Sequence, residues 1–425
     1  MLEFSGRIRL LRAFKYRPFT YLWIGQTISS LGDGAYTTAL AWLILVLTGS
    51  ATAMGIVVTA NALPRVLFLL LGGVVADRLP RRLMMLLSDG SRAVIVLLIA
   101  LLSWTHQLQL WHLVVLSLFF GIVDGFFIPA YQSIPAQLVP RDDLPSANAL
   151  NELSLRFSQF VGPLLGAACV ALVGPGSAFG LDGLSFVLST LCLLAMRLPA
   201  RLLEPAPLAP ETNIGRQQEL NVAQAAEAEA ERQGVRGVFS DMRAGLDYVL
   251  GSTWLWVSIV ISAGGNVFSG AALEVALPKL ISSVYGSGVW LLGMLASASA
   301  IGSIVAVLIV GQLKQINGRG LKMYFFSIIS GLALALMGWP LPRGSEPLVA
   351  GIASVFIGFS MGFFNVNWFI ILQQMIPDKF LGRVSSIDMM GSLCLTPVGL
   401  ALGGIITDSI GPAWSLLAVA SSSPC

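Results

Sequence analysis

The chain has 425 residues, 56% of them hydrophobic and only 11% charged, with a mean hydropathy of +0.80. A soluble domain carries roughly 25% charged residues, so a water-borne globule is excluded and a lipid-embedded one is expected. The formal charge of +3 gives no reason to invoke nucleic acid, and the four cysteines fit neither a disulfide framework nor a zinc site.

Runs of about 20 mostly apolar residues mark helices able to cross a bilayer. In chain order they fall at 19–47, 53–76, 83–104, 110–133, 149–173, 177–197, 253–275, 287–312, 321–341, 347–372 and 384–408. A tail at 1–18 precedes them. A polar segment at 198–252 divides them into a first half at 19–197 and a second at 253–425, and its last part places Phe239, Met242, Leu246 and Val249 at helical spacing, which predicts an interfacial helix. With the N-terminus cytoplasmic, 20 of the 25 basic residues fall on the cytoplasmic side, as the positive-inside rule requires.

The halves are related. Gly121, Gly125, Phe126, Phe127, Gln137, Pro140 and Leu144 recur as Gly358, Gly362, Phe363, Phe364, Gln374, Pro377 and Leu381, at a constant offset of 237 residues. Two six-helix halves of the same orientation follow. A twelfth helix is therefore expected, yet only 17 residues follow Asp408, Gly411 and Pro412 among them, so five full spans and a stub are predicted for the second half.

After the second span the chain reads Gly73-Val74-Val75-Ala76-Asp77-Arg78-Leu79-Pro80-Arg81-Arg82. Basic residues at a helix end anchor to headgroups, but an acid inside the turn, one helical turn after a glycine, suggests a polar latch between helices. The stretch resembles the loop signature of the major facilitator superfamily. Leu22-Trp23, Gly32-Asp33, Pro129-Ala130, Gly162-Pro163 and the Asp182 to Phe186 run resemble its macrolide-efflux and enterobactin-exporter branch of drug:proton antiporters. The resemblance implies an all-α polytopic membrane protein of two pseudo-symmetric halves, in which Gly73, Asp77, Arg78, Arg81 and Arg82 grip the start of span eleven, with Asp388 as acceptor. It also implies that Gly162, Pro163 and Gly166 form the core of an antiporter signature. Physically, Pro163 removes an intrahelical bond and the glycines admit a neighbour, so a bend is expected there.

An ionisable group inside a span costs about 2.5 to 3.5 kcal/mol or more at mid-depth, so each needs a partner or a task. Asp33 and Arg65 lie at similar depth on consecutive helices and are expected to meet, either as a neutralised structural pair or with Asp33 as the titrating acid of an antiporter. Glu152 and Arg156, spaced i,i+4, are expected to pair on one face. Asp124 either faces Arg156 or lines the cavity, and Asp89 and Arg92 sit close in span three. Trp42, Phe127, Asn266, Asn365, Asn367 and Trp368 are candidate walls for a substrate cavity.

The composite reading is a secondary active transporter, with proton-coupled efflux of a small amphipathic organic compound by alternating access. The alternatives are an importer on the same fold and a truncated membrane protein that does not transport. No nucleotide-binding loop, cofactor motif, metal site or catalytic constellation is read, so an enzyme is not expected. A monomer in the cell membrane, multi-pass and with its N-terminus in the cytoplasm, completes the expectation.

Overall fold

A computed structural model describes residues 9–196, 245–312, 318–340, 342 and 344–422. The divider at 198–244 lies outside the described residues, and the proposed interfacial helix is described only from 245, where a helix carries Val249 into a small core and stacks Tyr248 on Phe380. Among the described residues, eleven helices are long and apolar enough to cross a membrane. The first half comprises α1 (Arg17–Thr48), α2 (Ala51–Arg78), α3 (Arg81–Trp104), α4 (Leu110–Ser133), α5 (Leu144–Leu172) and α6 (Pro175–Ala195). The second comprises α7 (Thr253–Ser283), α8 (Val289–Gln312), α9 (Arg319–Gly338) and α10 (Glu346–Met375). It continues in α11, broken at Leu395 into Asp378–Cys394 and Thr396–Ile410, and in α12 (Pro412–Ser422).

Their limits follow from local chemistry. Gly49 closes α1 in a left-handed conformation (φ 64°) that a residue with a side chain adopts at a cost, its N–H donating to the Leu45 carbonyl. Proline opens α5, α6 and α12 within their first turns, where its missing N–H costs nothing. Odd-numbered α1 starts on what is termed here the near face, so α2 starts on the opposite, far face, and successive spans alternate.

The repeat seen in the sequence is a repeat in space. A Cβ on Gly121 would strike the Asn61 carbonyl of α2, and one on Gly358 would strike the Ser299 carbonyl of α8, so α4 crosses α2 as α10 crosses α8. The joints between the halves obey the same relation. Gly55 on α2 lies against the Leu400 carbonyl of α11, while Gly293 on α8 lies against the Pro163 carbonyl of α5. Beside them Thr59 donates to Pro397 O (3.0 Å) and Ser297 donates to Phe160 O (2.6 Å). Each position matches its mate at the sequence offset to within one residue. Small residues at these crossings let backbones approach, which is how helices associate where lipid removes the hydrophobic drive.

Each half has its own apolar core. Tyr36, Phe120, Phe179 and Phe186 dominate the first, with rings of Tyr36 and Phe120 stacked at 5.5 Å. Trp42 of α1 packs against the cores of both halves. It is a wedge between them rather than a free-standing cavity wall.

Candidate transport site and its closures

The interior of the first half carries a network of charge. Arg92 on α3 donates to Asp89 one turn earlier (2.5 Å) and reaches Asp124 on α4 (3.4 Å). Its guanidinium also lies over the rings of Phe127 and Phe186, at 4.0 and 4.6 Å from their centroids. Phe127 is thereby a packing ring for a cation. Asp89 is fully buried and fully served, accepting from Gln26 Nε2 (3.1 Å) and Ser189 Oγ (2.6 Å) in addition to Arg92. Asp124 also meets Arg65 of α2 at 3.8 Å.

The expected contact of Asp33 with Arg65 is therefore not formed. Depth along the helix was matched, but α1 packs against α5 and α6, whereas Arg65 points to α4. Asp33 is partly exposed, and among the described residues no hydrogen bond or ion pair reaches its carboxylate. Nor does Asp124 face Arg156: Arg156 instead holds Glu152 at 2.7 Å and donates across the halves to Ser303 Oγ (3.3 Å). Four acids, Asp33, Asp89, Asp124 and Asp182, thus stand in this half with two guanidinium groups near them, the buried Arg92 and the half-exposed Arg65.

The second half presents a different chemistry. Glu274 sits in a π-helical turn of α7, Ala271–Ala276, with Arg65 of the opposite half as the cation acting on it. Glu274 itself is exposed. Trp368 donates to Asp388 (2.9 Å), and Asn266 donates to the Ser392 carbonyl (3.0 Å). Asn367 is completely buried and donates to Phe363 O in its own helix, while Asn365 is exposed. A hollow of about 250 Å³ opens on the near-face side of the first half, between Ser30, Tyr131, Gln132, Asn148, Asn151 and Glu152. Of these only Glu152 was among the sequence candidates; the signal available for the rest was their polarity within apolar spans.

The two ends of α2 carry polar contacts of different kinds, and only those on the far face join the halves. On the near face, Arg81 donates to Ser133 O (2.9 Å) and Arg82 donates to Leu193 O and Leu194 O (2.9 and 3.0 Å). Both arginines satisfy carbonyls at the ends of α4 and α6 of their own half. Gly73, Asp77 and Arg78 are helical, but their side chains lie outside the described residues, as does any grip by them on Asp388. The far-face contacts were not among the expectations drawn from the sequence. Asp408 at the end of α11 accepts from Ser50 Oγ (2.6 Å), Ala51 N (2.9 Å) and Thr52 N (2.8 Å). An acid of one half thereby caps the first turn of a helix in the other. Lys279 of α7 adds a bond to the Gly49 carbonyl. The glycine signature completes the middle: Gly34 and Gly162 meet backbone to backbone, and Gly166 lies against Ala35.

Two helical repeats around a shared interior, with small-residue joints between them, define a polytopic membrane carrier. The chain belongs to the Major Facilitator Superfamily, whose model matches residues 22–393. The uncharacterised transporter YfiS of Bacillus subtilis is 25% identical over 402 residues, covering 92% of this chain and 87% of its own. The enterobactin exporter EntS of Citrobacter koseri is 24% identical over 399 residues, covering 93% and 86%. Among solved structures, a POT family transporter in complex with 5-aminolevulinic acid superposes with a TM-score of 0.71 at 14% identity, covering 96% of this chain and 94% of its own. A bacterial homologue of the iron transporter ferroportin in an inward-facing state gives 0.67, also at 14% identity, with 96% and 97% covered. The chain is a multi-span membrane transporter, and its family and fold are not those of enzymes.

Proposed function

We propose that the protein is a proton-coupled exporter of small amphipathic organic compounds, of drug, macrolide or siderophore-like character, that works by alternating access in the cell membrane. The near face is the cytoplasmic one in this reading, because the basic residues concentrate there. Residues 19–197 supply the coupling charges and 253–425 most of the apolar wall.

The observation that carries the reading is the imbalance in the first half, four carboxyls against two guanidinium groups. Asp33, partly exposed and outside any ion pair among the described residues, is the group best placed to take and release a proton. Gaining a proton removes a charge that Arg92 faces, which changes the energy of the far-face closure relative to its open form. The polar hollow near the cytoplasmic face, with Tyr131 and Glu152 in its wall, suits entry of an amphipathic compound from inside. The exporter relatives support the direction.

The test is efflux of a panel of lipophilic dyes, macrolides and catecholate siderophores from cells expressing the chain, with and without a protonophore. Efflux that collapses with the protonophore and is lost in Asp33→Asn is the expected result. Uptake, or efflux indifferent to the protonophore, would overturn it.

A further inference from the structure

Asp182 of α6 lies at the centre of the first half and takes no part in the ion pairs described above. It is completely buried. One carboxyl oxygen meets Ser185 Oγ at 3.3 Å, and the other has no hydrogen-bond partner. Among the described residues no cation lies within ion-pair distance of it. The helices packed against α6 supply the groups that face it: Asp33 and Tyr36 from α1, and Arg92 from α3. Arg92 is already committed to Asp89 and Asp124, and the Tyr36 hydroxyl is itself buried without a partner. From α5, Glu152 and Arg156 neutralise each other.

Asp89 is the internal control. It is buried as completely as Asp182, yet three donors stabilise its ionised form. A carboxylate held in a dry interior without such donors costs more than the proton that neutralises it. Two equally buried acids in one half are therefore given opposite surroundings, one rich in donors and one nearly without them. Asp182 is also joined to the accessible acid: a Cβ on Gly32 would collide with both Asp182 Oδ1 and Ser185 Oγ, so the carboxyl rests on the backbone next to Asp33.

We propose that Asp182 holds a proton while the far face is closed, and that it gains and loses that proton through Asp33. The proton moves from one carboxyl oxygen to the other with no other bond changing. The protonation of Asp182 stands independently of transport; its exchange through Asp33 rests on the proton-coupled reading above.

The test uses the full chain in phosphatidylcholine vesicles and reads the infrared carbonyl stretch of protonated carboxylic acid at neutral pH. Wild type is expected to show a band that Asp182→Asn removes, Asp89→Asn leaves in place and Asp182→Glu shifts. Hydrogen–deuterium exchange of that band should slow at least tenfold in Asp33→Asn. A band unchanged by Asp182→Asn would overturn the protonation, and one that exchanges at the wild-type rate in Asp33→Asn would overturn the route. The two readings fail separately. Protonophore-insensitive efflux with the band present removes the coupling and leaves Asp182 protonated, whereas sensitive efflux with no such band does the reverse.

Discussion

At the scale of single residues, Arg92 carries more of the first half than any other side chain. It neutralises two acids and lies between two rings, and its guanidinium is 3% exposed. Removing one member of a buried pair leaves an uncompensated charge and costs about 3 to 5 kcal/mol, whereas removing both is often close to neutral. Arg92→Met is therefore expected to lower the melting temperature of the detergent-solubilised protein sharply, and Asp89→Asn with Arg92→Met to recover most of the loss. An additive double mutant would show that the two side chains do not act as a pair. Part of this chemistry was legible beforehand. Glu152 with Arg156 and Asp89 with Arg92 are neighbours on one helix, and spacing alone brings such pairs together. Asp33 with Arg65 was misjudged because residue counting gives height in the bilayer and says nothing of the direction in which a helix turns its side chain. Asp124, expected to face Arg156 or line the cavity, meets Arg65 and Arg92 instead, and Asp182 and Asp408 likewise find their surroundings on other helices, which spacing along one helix does not reveal.

At the scale of helices, the crossings are governed by residues with little or no side chain. Added to Gly293, a Cβ would sit 2.6 Å from both the Pro163 carbonyl and the Ala167 side chain, on the joint between the halves. Gly293→Ile is expected to leave each half folded while forcing α8 from α5, so that far-face distances between spin labels lengthen and transport falls. Gly166→Val acts within one half. Its Cβ would sit 2.5 Å from the Ala35 carbonyl, and the expected result is loss of thermal stability, measured in detergent, without a change in the distance between halves. The spans themselves and the 237-residue repeat were readable because hydropathy and small-residue spacing are local. The break of α11 at Leu395 and the π-helical turn at Glu274 were not anticipated, although Pro397, two residues after the break, removes an intrahelical donor there.

At the scale of the whole molecule, a symmetric scaffold is loaded asymmetrically. The mate of Asp124 in the second half is Met361, and the mate of Asp408 in the first is Ala171. The two inter-half joints share their glycines and their hydroxyl-to-carbonyl bonds, but only that of α2 with α11 also has an acid at its far end. Loss of a capping acid costs typically about 1 kcal/mol, roughly a fivefold change in an equilibrium. Asp408→Ala is expected to shift the population toward the far-face-open form by about that factor, seen as faster labelling of a cysteine placed at Thr59, with the mirror substitution at Ala171 having no such effect. Equal labelling in Asp408→Ala and wild type would remove Asp408 from the closure.

The Asp408 contact has a further consequence, because what it holds is backbone. Two of its three bonds come from the amides of Ala51 and Thr52, groups that no carbonyl within their own helix can serve. Opening the far face would strip those amides of their acceptor, so the proposed alternating-access cycle predicts that the first turn of α2 frays each time the far face opens. The conformational cycle is thereby written into the amide-exchange rate of two consecutive residues, which makes the start of α2 a native clock for turnover that needs no label.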